Sequence, residues 1–268
     1  MLRFSLFFFC FLKTQIKFFR GRRRFMDNLT GAVRRCIEDY RMIEAGDVIA
    51  VGLSGGKDSV TLLAALAALR RYYPKPFTLR AVTLSMGFDG MDFAPLTAWC
   101  ASLGVEHTVL DTRLADVIFA ERQEPNPCAL CSKMRRGALN DAVRALGGAK
   151  LALGHNRDDV IETFLMSLLY EGRLYCFQPV TYMSRAQVTQ IRPMLYVPES
   201  ASRAFAARNG LPVVKNLCPM DGVSKRQEAK DLLADLARTR PDIQTKIFNA
   251  IQRLPLPGWG LSQEENAR

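Results

Sequence analysis

Residues 54–59, Ser-Gly-Gly-Lys-Asp-Ser, place one cation, one carboxylate and two hydroxyls in a glycine-rich turn. The apolar run Val48–Leu53 before the turn predicts a buried strand, and the Ala- and Leu-rich run Val60–Leu69 after it predicts a helix. The turn would then lie at a helix N-terminus, where backbone N–H groups and the helix dipole favour an anion. The two glycines allow close backbone approach, and Lys57 adds a positive charge. The spacing is not that of a Walker A loop.

A second group of reactive side chains begins with Cys128 and Cys131, a CxxC motif at a predicted helix start. There the helix dipole is expected to lower the thiol pKa and to favour the thiolate that binds metal. The motif alone fits a redox pair, half of a zinc site, part of an iron–sulfur site or two buried hydrophobic residues. Cys218, after the last predicted strand, favours a metal site. Three cysteines do not complete tetrahedral zinc coordination, and they fit better a cluster with one open iron.

A third motif, Gly-His-Asn-Arg-Asp-Asp at residues 154–159, follows a predicted strand. Ligands of doubly wound folds bind at the carboxyl ends of such strands. Asp158 or Asp159 could therefore hold Mg²⁺ against a bound phosphate, because hard cations prefer carboxylate oxygens. The alternative is that both acids cap a helix and that His155 is a polar loop residue.

The order of the predicted elements indicates how these motifs are positioned. Strands and helices alternate from Val48 to Leu169, which predicts right-handed βαβ units and an α/β fold with a doubly wound parallel sheet. Residues 178–193 predict a small hairpin outside the parallel sheet, and Leu211–Val214 a final short strand. The other predicted strands are Phe77–Ser85, Val105–Leu110 and Lys150–Leu153, and the C-terminal helices are Ser224–Ala237 and Pro241–Arg253.

Composition and charge limit the class of protein. With 268 residues, 49% of them hydrophobic and 24% charged, the chain has room for one large α/β domain. Its net charge is +11, but seven of those charges lie in residues 1–26, which contain no acid, so the rest carries only +4. That balance permits a nucleic-acid partner without requiring one. The odd number of cysteines, seven, favours a reducing, cytoplasmic location over a disulfide framework.

The Phe- and Arg-rich residues 1–25 are not expected to belong to the fold. Phe4–Leu12 is too short to span a bilayer and lacks a signal-peptide cleavage pattern, although a membrane-surface anchor is an alternative. Met26 precedes good helix N-caps and the amphipathic run Leu29–Ile43, so the functional chain is predicted to begin there. We therefore expect one domain over residues 26–253, a C-terminal tail over residues 254–268 and no stable membrane partner.

Ser54–Ser59 resembles the PP-loop signature of the ATP pyrophosphatases, which split ATP into AMP and pyrophosphate while adenylating a substrate oxygen. Taken with Pro-Cys-x-Leu-Cys, Leu-Gly-His-x-x-Asp-Asp, Arg192-Pro193 and Asn-Leu-Cys, the chain from Met26 to about Arg253 resembles the tRNA 2-thiocytidine synthetase family. The implied fold is an adenine nucleotide alpha-hydrolase-like PP-loop domain with C-terminal helices. The implied activity is ATP-dependent replacement of the C2 oxygen of a cytidine, at position 32 of tRNA, by sulfur.

The same resemblance implies ATP, Mg²⁺ and a 4Fe-4S cluster as cofactors, and tRNA as a partner. It also implies a sulfur donor such as a cysteine desulfurase and leaves a homodimer open. Lys57, Asp58 and the three cysteines would be catalytic, and Cys128, Cys131 and Cys218 would hold the cluster, whose open iron carries the sulfur. ATP and Mg²⁺ would be bound by Ser54, Gly55, Gly56, Lys57, Asp58, Ser59, Gly154, His155, Asp158 and Asp159. The tRNA backbone would contact Lys133, Arg135, Arg136 and Arg157, for which a solvated helix face is the alternative.

Three other functions fit part of this pattern. A tRNA-lysidine synthase shares the phosphate loop but does not need three cysteines. The 2-thiouridine synthetases that have the three cysteines usually carry additional CxxC zinc pairs at their ends, which this chain lacks. A non-catalytic nucleotide-binding module, such as an ATP or AMP sensor, would not need the loop hydroxyls, Lys57, Asp58 and the cysteines together.

Overall fold

A computed structural model describes residues 23–123, 126–220, 225–254 and 256–260. Most of the Phe- and Arg-rich tract, residues 1–22, lies outside these ranges. The strands are β1 Val48–Gly52, β2 Thr78–Ser85, β3 Glu106–Asp111, β4 Lys150–Ala152, β5 Val180–Met183 and β6 Val188–Ile191. The helices are α1 Arg23–Asp39, α2 Lys57–Leu69, α3 Ala94–Ser102, α4 Pro127–Ala145, α5 Arg157–Glu171, α6 Glu199–Asn209, α7 Lys225–Thr239 and α8 Ile243–Arg253, with a π-helical turn at Asp116–Glu121.

The six strands form one sheet in the order β3-β2-β1-β4-β6-β5. All neighbouring pairs are parallel except β5 and β6. The prediction of a parallel α/β sheet is therefore confirmed. Because the chain runs outward from β1 through β2 to β3 and then returns to β4 on the other side, the strand order reverses between β1 and β4. Ligands of open α/β sheets bind at such a reversal, beyond the carboxyl ends of the strands.

The hairpin of β5 and β6 forms as predicted, but its predicted place outside the parallel sheet is wrong. Strand β6 pairs in parallel with β4, with Lys150 opposite Thr189 and Ala152 opposite Ile191. Its residues Val188 and Ile191 are fully buried. The apolar side chains of β6 thus belong to the core, and β6 also pairs the edge of β4, which would otherwise expose its backbone N–H and C=O groups.

The prediction of a strand at Leu211–Val214 is also wrong, because these residues have no regular secondary structure. Helix α6 ends at Gly210 in the left-handed conformation, with φ of +56°, and the chain then crosses to the turn after β1. There the backbone N–H of Val214 donates to the carbonyl oxygen of Gly55 over 2.9 Å. Val214 packs against that turn instead of extending the sheet, whereas Val213 is exposed, so the segment contacts the turn through Val214 and does not form a strand.

The core surrounds β1 and α2 and extends to both ends of the described chain. In α1, Leu29, Val33 and Ile37 are buried on one face, as predicted. Trp259, in the segment predicted as a C-terminal tail, is fully buried, and its indole Nε1–H donates to the carbonyl oxygen of Phe177 over 3.0 Å. Within the described ranges, no helix is both long and apolar enough to cross a membrane.

Substitution of Gly55 tests how tightly the turn after β1 is packed. Its φ is +82°, and a Cβ atom there would lie 2.8 Å from the Cβ of Val214. We expect Gly55→Ala to lower the free energy of unfolding by about 1–3 kcal/mol because an L side chain is strained in that conformation. Urea denaturation followed by circular dichroism measures this change.

Gly56→Ala is the matched control. The φ of Gly56 is −70°, and a Cβ atom there would meet the Ser54 hydroxyl at 3.5 Å, an ordinary contact. We expect this variant to keep the stability of the wild-type protein within about 0.5 kcal/mol. Equal destabilisation by the two substitutions would contradict the packing of Gly55 against Val214.

Candidate active site

The turn between β1 and α2 is organised as a phosphate-binding loop. The Ser54 hydroxyl accepts from the Gly56 N–H over 3.3 Å and donates to the Ser59 hydroxyl over 3.2 Å, and Ser59 donates to the Gly56 carbonyl oxygen over 2.9 Å. These bonds hold the loop while no side chain of the described residues caps α2. The first-turn N–H groups of α2 therefore remain available to an anionic ligand.

Lys57 lies between two carboxylates. Its Nζ is 2.8 Å from Asp58 Oδ2 and 2.9 Å from Glu199 Oε1. Burial lowers the pKa of Lys57, but these two partners outweigh it, so the pKa is raised and the side chain stays charged. Asp58 Oδ1 is buried and has no hydrogen-bond partner among the described residues. Because an unpaired buried carboxylate oxygen is costly, it marks a place for a ligand or a cation.

The two acids of the third motif have different structural partners. Asn156 caps α5 by accepting from the N–H groups of Asp158 and Asp159, and Asp159 Oδ2 accepts from the Asn156 N–H over 2.9 Å. This capping box is the alternative that the sequence left open for these acids. Asp158 instead reaches across to α6, where its Oδ2 accepts from the N–H of Glu199 over 2.7 Å.

Charged residues from α6 and α7 complete the site and were not identified from the sequence. Arg226 Nη1 lies 3.2 Å from Asp159 Oδ1 and 3.0 Å from Glu162 Oε2. Lys230 Nζ lies 3.6 Å from Glu162 Oε1 and 3.3 Å from Glu199 Oε2. An ion-pair network therefore connects the phosphate loop with the third motif. These helices carry no recognisable motif, and Glu199 resembles an ordinary acid in a helix first turn, which stabilises the dipole.

The two buried acids of this network differ in pKa. Burial raises the pKa of Glu162 to about 7, although Lys230 and Arg226 oppose that effect. Burial also disfavours ionisation of Glu199, but Lys57 and then Lys230 outweigh it and lower its pKa to about 2. Glu199 is therefore a permanent carboxylate partner of Lys57 at neutral pH.

His155 lies at the carboxyl end of β4 and packs on Phe177, with ring centroids 4.8 Å apart. Burial, followed by the positive charges of Arg192, Arg226 and Arg136, lowers the pKa of His155 to about 3. The ring is therefore neutral at physiological pH and cannot pair with a phosphate as a cation. Its Nδ1 is buried without a hydrogen-bond partner among the described residues.

The three predicted cluster ligands lie at the start of α4 and beside the phosphate loop. Asn126 caps α4 by accepting from the Ala129 N–H over 3.2 Å, so Cys128 and Cys131 lie in the first helical turns. Cys218 follows the segment that Val214 attaches to Gly55. All six cysteines of the described chain are free, and these three alone among them reach the surface. The other three, Cys36, Cys100 and Cys176, are buried.

The three thiols are close enough for the other two to affect the pKa of Cys131. Burial raises the pKa of Cys131, and Cys218 and Cys128 raise it further, while Arg135 opposes them by charge and by a side-chain hydrogen bond. The predicted lowering of thiol pKa by the helix dipole is therefore wrong for Cys131. In the described chain no three His, Cys, Asp or Glu side chains converge as they would around one metal ion. The structure therefore does not arrange Cys128, Cys131 and Cys218 as the ligands of a single ion, and their role as cluster ligands remains a prediction.

The four basic residues predicted to contact RNA have different surroundings. Lys133 and Arg136 are exposed on α4. Arg135 is half-buried and bonds to Cys131. Arg157 opens α5, and its Nε is buried without a hydrogen-bond partner in the described chain. Lys133 and Arg136 are therefore accessible to a ligand at the surface, whereas Arg135 lies beside Cys131.

Comparison with known proteins identifies the family. A PP-loop domain model matches residues 28–217. The tRNA-cytidine(32) 2-sulfurtransferase of Alkalilimnicola ehrlichii is 39% identical over 233 residues, which are 85% of this chain and 73% of that protein. The protein of the same name from Syntrophotalea carbinolica is 40% identical over 232 residues, 85% of this chain and 88% of its own length.

A solved structure supports the fold independently. The U34-tRNA thiolase NcsA from Methanococcus maripaludis, determined with its [4Fe-4S] cluster, aligns with a TM-score of 0.70 and 24% sequence identity. The alignment covers 87% of this chain and 79% of that protein. From the family model and the sequence relatives together, the chain belongs to the tRNA-cytidine(32) 2-sulfurtransferase family of PP-loop proteins.

Proposed function

We propose that this protein is an ATP-dependent tRNA sulfurtransferase that replaces the C2 oxygen of a cytidine by sulfur. The relatives' names place that cytidine at position 32 of tRNA. The observation that carries the proposal is the hydrogen bond from the Val214 N–H to the Gly55 carbonyl oxygen. It attaches the segment that leads to Cys218 to the loop proposed to bind the phosphates of ATP, which supports a site where one of the three cysteines lies close to the nucleotide.

The proposed role of ATP is to activate the oxygen on C2 of the cytidine as a leaving group. The amide-like oxygen there is a poor leaving group, and its attack on the α-phosphorus of ATP converts it into the leaving group AMP and releases pyrophosphate. Sulfur at the oxidation level of sulfide then forms the C–S bond as AMP departs, so no electrons are gained or lost. The N–H groups at the start of α2 and the Lys57 ammonium stabilise the charge that develops on the phosphates.

The acids of the site suit Mg²⁺ bound against the phosphates. Asp58 Oδ1 is buried without a partner in the described chain, and a carboxylate oxygen is the ligand that this cation prefers. Asp158 is at the start of α5, where its Oδ2 accepts a hydrogen bond from the backbone N–H of Glu199, and the Glu199 carboxylate pairs with Lys57 next to Asp58. Asp58 would bind the cation directly, and Asp158 would orient it.

Cys128, Cys131 and Cys218 would hold the cluster. A [4Fe-4S] group bound by three thiolates supplies one iron position open to sulfur. Because burial raises the pKa of Cys131, that thiol must release a proton when metal binds, and the Arg135 guanidinium stabilises the resulting thiolate. The exposed Cys128 lies where a sulfur donor such as a cysteine desulfurase can approach. A cytoplasmic location and a homodimer are part of the same proposal.

The cysteine triad can be tested by metal content. In protein purified without oxygen we expect about four irons per chain with matching sulfide, because three thiolates suffice for a [4Fe-4S] cluster. The Cys128→Ala/Cys131→Ala/Cys218→Ala variant should lose the iron and its visible absorption. Cys100→Ala, which removes a buried thiol of α3, should keep both. Full iron content in the triple variant would contradict the assignment.

Lys57 and Lys230 offer a matched pair for testing the phosphate loop. Each contacts Glu199, at 2.9 Å and 3.3 Å respectively, but only Lys57 belongs to the loop. We expect Lys57→Ala to lower kcat/KM for ATP by about 10²–10³-fold, as expected when a group that stabilises developing charge is removed. Lys230→Ala should lower it by less than about tenfold, since it changes the network and not the phosphate contact.

Steady-state assays of pyrophosphate release with tRNA and sulfide measure both variants. An equal loss of kcat/KM for ATP in Lys57→Ala and Lys230→Ala would show that Lys57 acts only through the ion-pair network. That result would contradict a contact between Lys57 and the phosphates.

A further inference from the structure

The segment between α5 and β5 carries one exposed aromatic residue next to the site. Gly172, with φ of +63°, ends α5. Cys176 is buried, and its thiol donates to the Val160 carbonyl oxygen over 3.5 Å, while Phe177 packs on His155. Tyr175 precedes these two anchored residues and is 46% exposed. The Tyr175 ring is therefore at the surface, while the two residues that follow it are packed into the protein.

A cation is already stacked on this ring. The Arg173 guanidinium carbon lies 4.8 Å from the centroid of the Tyr175 ring. Its Nε also pairs with Glu171 Oε2 over 2.5 Å, although the Arg173 side chain is 60% exposed. Glu171 thus provides a partner for the guanidinium in the position where it contacts the Tyr175 ring.

Charges from α4 and from this segment both act on Arg192. Arg192, at the carboxyl end of β6, is influenced electrostatically by both Arg136 and Tyr175, although burial is the main cause of its lowered pKa. Arg136 also influences His155. Phe177, two residues after Tyr175, packs on His155 of the third motif, and the Arg192 guanidinium lies 5.0 Å from the centroid of the Phe177 ring. The exposed Tyr175 ring with an exposed guanidinium against it, beside these basic groups, has the composition of a surface that binds single-stranded nucleic acid.

We propose that Tyr175 and Arg173 form a stacking platform for an unpaired base of the tRNA substrate, with Arg136 contacting the adjoining backbone phosphate. The inference rests on the proposed function and assigns a substrate contact within it. RNA enzymes read unpaired loop bases by stacking them on aromatic rings and guanidinium planes, while basic side chains fix the register through phosphates. An anticodon loop supplies such unpaired bases next to the cytidine to be modified.

The test measures binding of a fluorescently labelled anticodon stem-loop RNA with cytidine at position 32 to the full-length protein. Stacking on one aromatic side chain contributes enough for alanine substitution to weaken binding several-fold to a hundredfold. We expect Tyr175→Ala to raise the Kd about tenfold. Tyr175→Phe, which keeps the ring and removes the hydroxyl, should stay within about twofold of wild type. In thiolation assays Tyr175→Ala should raise KM for tRNA with little change in kcat.

Tyr72→Ala is the matched surface control. Tyr72 is 59% exposed and follows the end of α2 that is distant from the phosphate loop, so its removal should leave RNA binding unchanged. Iron content and ATP binding should be the same in all three variants. The stacking platform would be overturned if Tyr175→Ala bound the RNA as tightly as the wild-type protein. It would also be overturned if Tyr175→Phe lost as much RNA affinity as Tyr175→Ala. A changed oligomeric state in Tyr175→Ala without a change in RNA affinity would overturn it too, and would indicate a contact between two copies.

Failure of the proposed function has a different signature. Wild-type protein that binds ATP and iron but no tRNA would overturn the sulfurtransferase proposal, and the stacking platform with it. Wild-type protein that binds and thiolates tRNA, together with an unaffected Tyr175→Ala variant, would overturn only the platform.

Discussion

The absence of a side chain at Gly55 allows two parts of the chain to meet. Its left-handed conformation turns the backbone at the end of β1, and the lack of a Cβ atom lets Val214 approach until its N–H reaches the Gly55 carbonyl oxygen. The phosphate loop and the acids of the third motif follow β1 and β4, at the reversal of strand order, where α2 and α5 both begin. The sheet thus positions these two motifs, and the contact between Gly55 and Val214 attaches to them the segment that leads to Cys218.

Charge balance is the second constraint on the site. Lys57, Arg226 and Lys230 pair with four carboxyl groups that the fold partly or fully buries. Removing one partner of such a pair leaves an uncompensated charge. The network also connects α6 and α7 to the phosphate loop, so a triphosphate that competes for Lys57 must rearrange contacts of Glu199. Helices without a motif of their own therefore contribute charged residues to the network around the phosphate loop.

Local patterns predicted most of the elements and the three motifs, because strand and helix periodicity and glycine turns depend on neighbouring residues. The placement of β6 could not be predicted in this way, since only its pairing with β4 makes it part of the sheet. The same limit applies to Glu199 and Arg226, whose roles depend on contacts between distant helices. The raised pKa of Cys131 arises from burial that the CxxC motif does not encode. The domain boundaries and the residues in contact with ATP, Mg²⁺ and tRNA remain predictions.

The most direct test of ATP-dependent thiolation is the stoichiometry of products. Anaerobic, cluster-loaded protein would be incubated with unmodified tRNA, sulfide and ATP labelled at the α-phosphate, followed by nucleoside analysis. If the C2 oxygen leaves as AMP, each 2-thiocytidine formed at position 32 is accompanied by one AMP and one pyrophosphate, and none forms without ATP. Thiolation without ATP, or ATP cleaved to ADP and phosphate with no sulfur in the tRNA, would contradict adenylation as the activating step.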